Sequence, residues 1–346
     1  MKLDTASVQT MDAITRHERA FYGWVREVTA PGSEHAVDLR PRVAEGLARV
    51  DANLAESLPT QARGSQTQDA LLAHELSQWR GQTSSESAPG VVATVPEFGY
   101  PARTKHTGQV AVVTGGNRGI GFELCRQLAL QGFTVVLTAR DPVLGREAAE
   151  QLRAEGHDVV FEQLDVMRPK QAEALADACL ERFGSVDVLI NNAGVSLDPR
   201  QDLTPLAKQI RSFKVNFYGP MRVTAALTPL LAKANGRVIN ISSEVSTCHF
   251  EEVLAPAYQS SKAALNAQTR LDAERLGLLG ISVNAVDPGW VQTAMGGGAA
   301  PDTPLDGVQA TMWVATTDGP PTGGFFRRHI DPPPPSGEVQ IARVAW

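Results

Sequence analysis

The chain has 346 residues, 42% hydrophobic and 20% charged, enough apolar content for an ordinary soluble core without a stapling metal or disulfide. A formal charge of −6 and a pI near 5.7 argue against the nucleic-acid backbone as the main partner. No apolar run reaches the roughly 18 residues that a membrane span needs, and the start Met-Lys-Leu-Asp-Thr-Ala-Ser lacks a secretory stretch, so a cytoplasmic address without membrane partners is expected.

In chain order, the first predicted elements are helical. Met11, Ile14, Phe21, Val25 and Val28 fall at helical spacing, as do Val43, Leu47, Val50, Leu54 and Leu58, then Leu72, Leu76 and Trp79. Pro31-Gly32 separates the first two segments, and a polar stretch around 59–64 separates the second from the third. This reading gives a helical N-terminal extension over 1–82. A Ser, Thr, Pro and Gly-rich linker follows over 83–106.

From Gln109 onward the rhythm becomes strand, helix, strand, helix. Val110–Val113, Thr134–Thr138, Val159–Leu164, Val186–Ile190, Arg237–Ile241 and Ile281–Val286 are short, β-branched runs. Apolar strands alternating with amphipathic helices predict an α/β fold, a doubly wound parallel sheet covered on both faces, over 107–346. Helices at Ile120–Gln131 and Lys170–Phe183 are each followed by a glycine where a C-cap is expected. The end of the chain is rich in Pro and Gly, and Pro332–Pro335 excludes a regular helix there. Cys125, Cys179 and Cys248 are scattered, with no CxxC or Cys/His cluster, which predicts reduced thiols and no metal site.

The first strand of this region runs into Thr114-Gly115-Gly116-Asn117-Arg118-Gly119-Ile120-Gly121, then a helix. Gly115 suits the tight turn, Gly119 the approach of backbone to a pyrophosphate, and Gly121 close contact between helix and strand. The helix start adds amide donors and a positive dipole end for an anion. Tyr258 and Lys262 are four residues apart on a predicted helix over 258–279 and so share a face. An unperturbed phenol has a pKa of about 10, and a neighbouring lysine cation lowers it towards working pH.

The TGxxxGxG spacing differs from the usual GxGxxG. Together with Asn191-Asn192-Ala193-Gly194, Asn216, Ser243, Tyr258-x-x-x-Lys262 and Pro288-Gly289 in this order, it resembles the short-chain dehydrogenase/reductase family. Thr114-Gly-Gly-Asn-Arg-Gly-Ile-Gly-Phe-Glu, Leu137-Thr-Ala-Arg-Asp141, Pro288-Gly-Trp-Val-Gln-Thr-Ala-Met295 and Thr322-Gly-Gly-Phe-Phe-Arg327 are similar to its carbonyl reductase branch.

The resemblance implies a dinucleotide cofactor and assigns most of the site. The second strand ends on Thr138-Ala139-Arg140 with no carboxylate before Asp141, and Arg140 with Arg118 suits the 2′-phosphate of NADP(H). Asn117 and Ile120 belong to the same loop, Asp165 and Val166 would contact adenine, and Asn192, Ala193 and Gly194 would lie at the cofactor ribose. Pro288, Gly289, Val291 and Thr293 would cover the nicotinamide, while Trp290 reads equally well as a packing residue. Ser243, with Ser242 as the competing choice, would hold the substrate oxygen. Tyr258 would protonate it, Lys262 would tune Tyr258 and hold the ribose, and Asn216 would hold a helix irregularity.

The sequence departs from the family pattern in three places. Thr247–Ala255 makes a small extra loop beside the substrate, the stretch between Met295 and Pro304 is a reduced lid, and the tail from His329 is not simple. The expectation is an NADPH-dependent reductase of a ketone or aldehyde, or the reverse alcohol oxidation. Imine or iminium reduction, and a scaffold with a binding or non-redox role, are the alternatives. Monomer and homo-oligomer both stay open, with the N-terminal helices available as an interface.

Overall fold

A computed structural model describes residues 90–96, 106–247, 255–329 and 338–346. The helical extension expected over 1–82 lies outside the described residues. Nine strands form one sheet: β1 (Gly90–Pro96), β2 (Val110–Val113), β3 (Thr134–Ala139), β4 (Val159–Gln163), β5 (Val188–Asn191), β6 (Arg237–Ile241), β7 (Ser282–Asp287), β8 (Phe325–His329) and β9 (Glu338–Arg343). Their spatial order is β1-β9-β8-β7-β6-β5-β2-β3-β4. From β8 to β4 every pairing is parallel, whereas β9 and β1 are added antiparallel at the β8 edge.

The parallel strands are buried because helices cover both faces, which is why Val110–Val113 and Val188–Asn191 are buried at every position. On one face α1 (Gly119–Leu130), α2 (Pro142–Ala154) and α7 (Pro304–Thr316) contribute Leu124, Leu128, Leu152 and Met312 to the same apolar core as Val135 and Ile239. On the other, α3 (Pro169–Phe183) packs on α5 (Tyr218–Ala234), and α4 (Pro205–Asn216) packs on α6 (Pro256–Gly277). No helix among the described residues is long and apolar enough to cross a membrane.

Two observations correct the linker and tail. Gly90–Pro96 was expected inside an irregular linker, yet Gly-Val-Val-Ala-Thr-Val-Pro pairs with β9 from Gly90↔Arg343 to Pro96↔Glu338. Its partner lies at the far end of the chain, so the local Pro- and Ser-rich surroundings dominated the sequence signal. The tail likewise holds a strand, β9, which turns back on β8 beyond the proline run.

The order of strands places β2 between β3 and β5, with the chain winding outward on one side to β4 and on the other to β8. Such a reversal opens a crevice at the carboxyl ends of the strands. Thr114, Arg140, Asp165, Asn192, Ser243 and Pro288 all sit in loops that leave those ends, so residues far apart in sequence are gathered along one rim.

Candidate active site

The rim begins with the loop between β2 and α1. Gly115 and Gly119 have positive φ, +67° and +57°, a region that L side chains rarely adopt. At Gly121 a Cβ would collide with the Gly115 carbonyl and the Asn192 amide, so the close contact expected there is enforced by the packing. Arg118 stands in extended conformation at the N-cap and supplies no side-chain cap, and the first turn of α1 contains no acidic residue. The free amides of this turn therefore point outward without an internal acceptor, as an anion site requires.

The loop is held from behind. Asn192 donates its side-chain amide to the carbonyls of Thr114 at 2.9 Å and Gly115 at 3.1 Å, while Thr114 Oγ1 accepts the backbone amides of Asn192 and Ala193, both at 2.9 Å. The Asn192 side-chain amide thus fixes the glycine loop from behind. Thr114 was read only as the head of the glycine motif; its part in holding the two loops together shows in the fold alone.

The charge pattern at the next two loops bears on the choice of cofactor. Arg140 and Arg118 are exposed, and among the described residues neither guanidinium has an ion-pair partner. Asp141, the nearest carboxylate, is occupied elsewhere: it caps α2 by accepting Val143 N at 2.9 Å and Leu144 N at 3.2 Å. The end of β3 therefore offers an unpaired cation, with its neighbouring acid turned to the helix cap through one oxygen, a donor set that fits a 2′-phosphate. Val166 is buried against Gly219 at the start of α5, and Asp165 accepts Met167 N at 3.0 Å, giving this loop a fixed shape.

The chemical groups come together where β6, α6 and the break between α4 and α5 meet. Ser243 follows β6 and Tyr258 lies in the first turn of α6, near enough for the serine hydroxyl to act on the proton affinity of the phenol. Ser242, the competing choice, is fully buried and donates to Asn266 Oδ1 at 2.5 Å, so its hydroxyl is committed to the core. The Lys262 ammonium lies 5.7 Å from the centre of the Tyr258 ring and donates to the Ile241 carbonyl at 2.6 Å. Asn216 ends α4, and Phe217 breaks the helix before α5 begins. The Asn216 amide bonds Val195 O at 2.8 Å and Ser261 Oγ at 2.9 Å, and its carbonyl accepts Val195 N at 2.8 Å. Gly194 fits between Asn216 and Lys262; a Cβ there would lie 3.4 Å from one and 3.6 Å from the other.

Burial sets the electrostatics. The phenol end of Tyr258 is enclosed although the residue as a whole keeps some exposure, and desolvation, reinforced by the negative Asp287, pushes it well above the usual tyrosine range. The neighbouring Ser243 hydroxyl pulls the other way. Lys262 is buried without a carboxylate partner, and this drops its ammonium to about 8. The phenol thus lies above its ordinary range, not below it as the lysine neighbour led one to expect, because burial outweighs the cation, and the ammonium lies below its own.

After β7, Pro288 and Gly289 turn the chain and Thr293 comes within van der Waals reach of Gly119. The expected nicotinamide loop and the glycine loop thus meet. Val291 is buried, with its side chain against Gly307 of α7, so it supports this loop from behind. Trp290 is 57% exposed, and its indole N–H donates to Gly296 O at 2.8 Å, which fixes the loop without burying the ring.

Sequence reasoning also missed Asp198. From the loop after β5 it accepts Ala257 N and Tyr258 N, each at 3.0 Å, and so caps α6, whose own N-cap residue Ala255 makes no side-chain bond. No local signal marks a cap supplied from another loop.

Comparison with known proteins places the fold in a family. The family model described as short chain dehydrogenase matches residues 109–303. Salutaridine reductase of Papaver bracteatum is 34% identical over 292 residues, which cover 62% of this chain and 93% of that protein. Carbonyl reductase (NADPH) 1 of Homo sapiens is 34% identical over 251 residues, 60% of this chain and 90% of the relative. The crystal structure of NADPH-bound carbonyl reductase from chicken fatty liver superimposes with a TM-score of 0.58 at 30% identity, covering 64% of this chain and 96% of the other.

Proposed function

Because this chain belongs to the short-chain dehydrogenase family, we propose that it is an NADPH-dependent reductase of small-molecule ketones or aldehydes. The observation that carries the reading is the convergence of Ser243, Tyr258 and Lys262 beside Gly194 and Asn216, at the rim where the glycine loop opens. When bound, NADPH supplies the hydride. Arg118 and Arg140 would take its 2′-phosphate, the first turn of α1 its pyrophosphate, and the loop from Pro288 to Thr293 its nicotinamide end.

The residues divide the remaining work. Ser243 donates a hydrogen bond to the substrate oxygen and stabilises the charge that develops there. Tyr258 gives its proton to that oxygen, and its high proton affinity keeps the donor loaded at neutral pH. Lys262, anchored on Ile241 O, offsets the loss of the phenolic proton by placing positive charge near the ring. Asn216 ties the segment after Gly194 to α6 through Val195 and Ser261, which holds Lys262 and Tyr258 in register. We place the enzyme in the cytoplasm, where buried free thiols such as Cys125 and Cys179 stay reduced.

The test is NADPH oxidation with a panel of ketones, aldehydes, quinones and imines, followed by Tyr258→Phe on the best substrate. Turnover should fall by roughly two orders of magnitude or more while NADPH affinity is kept. Near-normal turnover in Tyr258→Phe would remove Tyr258 as the acid. Turnover of imines alone would move the substrate class, and inertness across the panel would favour a non-redox scaffold.

A further inference from the structure

A row of polar side chains on α6 is turned towards β6. Gln259, Lys262, Asn266 and Thr269 recur at intervals of three and four, so they lie along one face of the helix. Each is bonded to β6 or to the turn that follows it. Gln259 donates to Val245 O at 3.1 Å, Lys262 donates to Ile241 O at 2.6 Å, and Thr269 Oγ1 accepts Asn240 Nδ2 at 2.9 Å. Asn266 reaches to both sides of Ser243. Its carbonyl accepts Ser242 Oγ at 2.5 Å, and its amide donates at 2.9 Å to Ser246 Oγ, which in turn donates to the Ser243 carbonyl. Asn266, Ser242 and Ser246 are all buried. The Ser246 amide bonds the same carbonyl at 3.1 Å, so the Ser243 peptide is held twice from one side.

We propose that Asn266 is a positioning residue of this site: it fastens the residues on either side of Ser243 to the helix that carries Tyr258 and Lys262, and so sets where the serine hydroxyl stands relative to the phenol. The inference rests on the reading of Ser243 as the group that holds the substrate oxygen. A carboxamide suits the place because its two ends differ. Its oxygen takes the Ser242 proton, its nitrogen supplies one to Ser246, and the Ser246 proton is thereby left for the Ser243 carbonyl. Ser242 is also tied to β7, through its backbone amide on Val286 O at 2.7 Å, so the serine segment is held from sheet and helix at once. Lys262 lies one turn before Asn266 in the same row, and its bond to Ile241 O anchors the strand end just ahead of Ser242. Such a hold matters for an electrostatic stabiliser, because a donor contributes only when it is already aimed at the oxygen on which charge develops.

The test uses Asn266→Ala, which removes both arms of the clamp. On the best carbonyl substrate kcat should fall roughly tenfold or more, the scale of a group displaced by part of an ångström, while KM for NADPH is kept. In a Ser243→Ala background the same change should cost almost nothing further, because its effect passes through Ser243. An equal loss in both backgrounds, or no loss in either, overturns the proposal. Should Asn266→Ala not fold, Ser246→Ala removes a single oxygen and breaks the chain at its last link; the same fall in kcat and the same loss of effect beside Ser243→Ala are expected, and their absence also overturns it. Hydrogen exchange of the substrate-free protein reads the clamp without turnover. The amides of Ser246 and Thr247 should exchange about tenfold faster in the variant, while those of β6 keep their protection. Unchanged exchange at Ser246 and Thr247 counts against the clamp and overturns the proposal. An enzyme inert to every carbonyl would remove the reductase reading, while exchange would still decide whether Asn266 holds the serine segment.

Discussion

The carboxylate of Asp198 holds the backbone amides of Ala257 and Tyr258 at 3.0 Å each, from a loop 59 and 60 residues upstream. Helix α6 carries both Tyr258 and Lys262, and the first turn around the phenol depends on this borrowed cap. Asp198→Ala should lower stability by about 1–2 kcal/mol, the usual cost of losing a capping side chain. It should also reduce kcat more than it raises KM for NADPH, because the fraying turn carries Tyr258 and no expected phosphate contact. Thermal melts with steady-state kinetics check this, and Asp198→Asn should recover part of both losses. Unchanged melting and kcat would make the contact incidental.

Arg140 projects from the end of β3 while Asp141 is committed to capping α2. Arg140→Gln should therefore weaken NADPH by roughly 1.5–3 kcal/mol, the worth of a charge-assisted hydrogen bond, and leave NADH almost unaffected. Isothermal titration with the two cofactors separates the cases. Equal losses would show that the guanidinium supports the fold instead.

Lys262 gives a pH signature in the absence of cofactor. Its folded-state value is lowered by burial to about 8 from 10.5, so between those limits the unfolded chain binds more protons than the native one. Stability contributed by this group must then rise with pH across the window, and below about 8 the full cost of burying the cation is felt. Urea melts of the wild type and Lys262→Met should show the wild type gaining on the variant from pH 8 to 10. A difference independent of pH would mean that Lys262 keeps its ordinary proton affinity.

How much of this was legible in the sequence depends on how local each signal was. The strand, glycine turn and helix from Val110 to Leu130 are contiguous, so pattern alone located them, whereas the Tyr258 and Lys262 spacing gained its meaning from the family resemblance. The helix over 258–279 was placed within two residues of its bounds, Pro256–Gly277. Strand β1 was read as linker because an edge strand owes its identity to a partner, and its partner is β9. Asp198 escaped notice for the same reason: what its carboxylate does is decided by amides of a distant helix. The hold of the Asn192 amide on Thr114 and Gly115 was not legible, since only the fold brings the two loops together.

Truncation tests the corrected boundary. Pro89–Trp346 is one compact unit, so removal of residues 1–88 should leave β1 paired and the unit folded. Removal of 1–100 takes β1 away, strips the antiparallel bonds from β9, and should melt several degrees lower. Matched thermal scans of the two truncations decide it. Equal melting temperatures would show that the β1–β9 pairing adds nothing to stability. Comparing kcat/KM and mass by light scattering with the full chain further tests whether residues 1–88 serve catalysis or assembly.

That same pairing has a consequence for synthesis. The two strands added beyond β8 come from opposite ends of the unit, with Gly90 opposite Arg343. A ribosome delivers β1 first and β9 last, so β1 waits without a partner until nearly the whole unit has emerged, and the bare edge of β8 waits with it. Val91 and Val92 are 46% exposed even in the finished sheet. An unpaired strand with an apolar face is open to capture by a neighbouring copy. Crowded translation on one message therefore favours exchange of β1 between adjacent nascent chains, each completing the other's sheet.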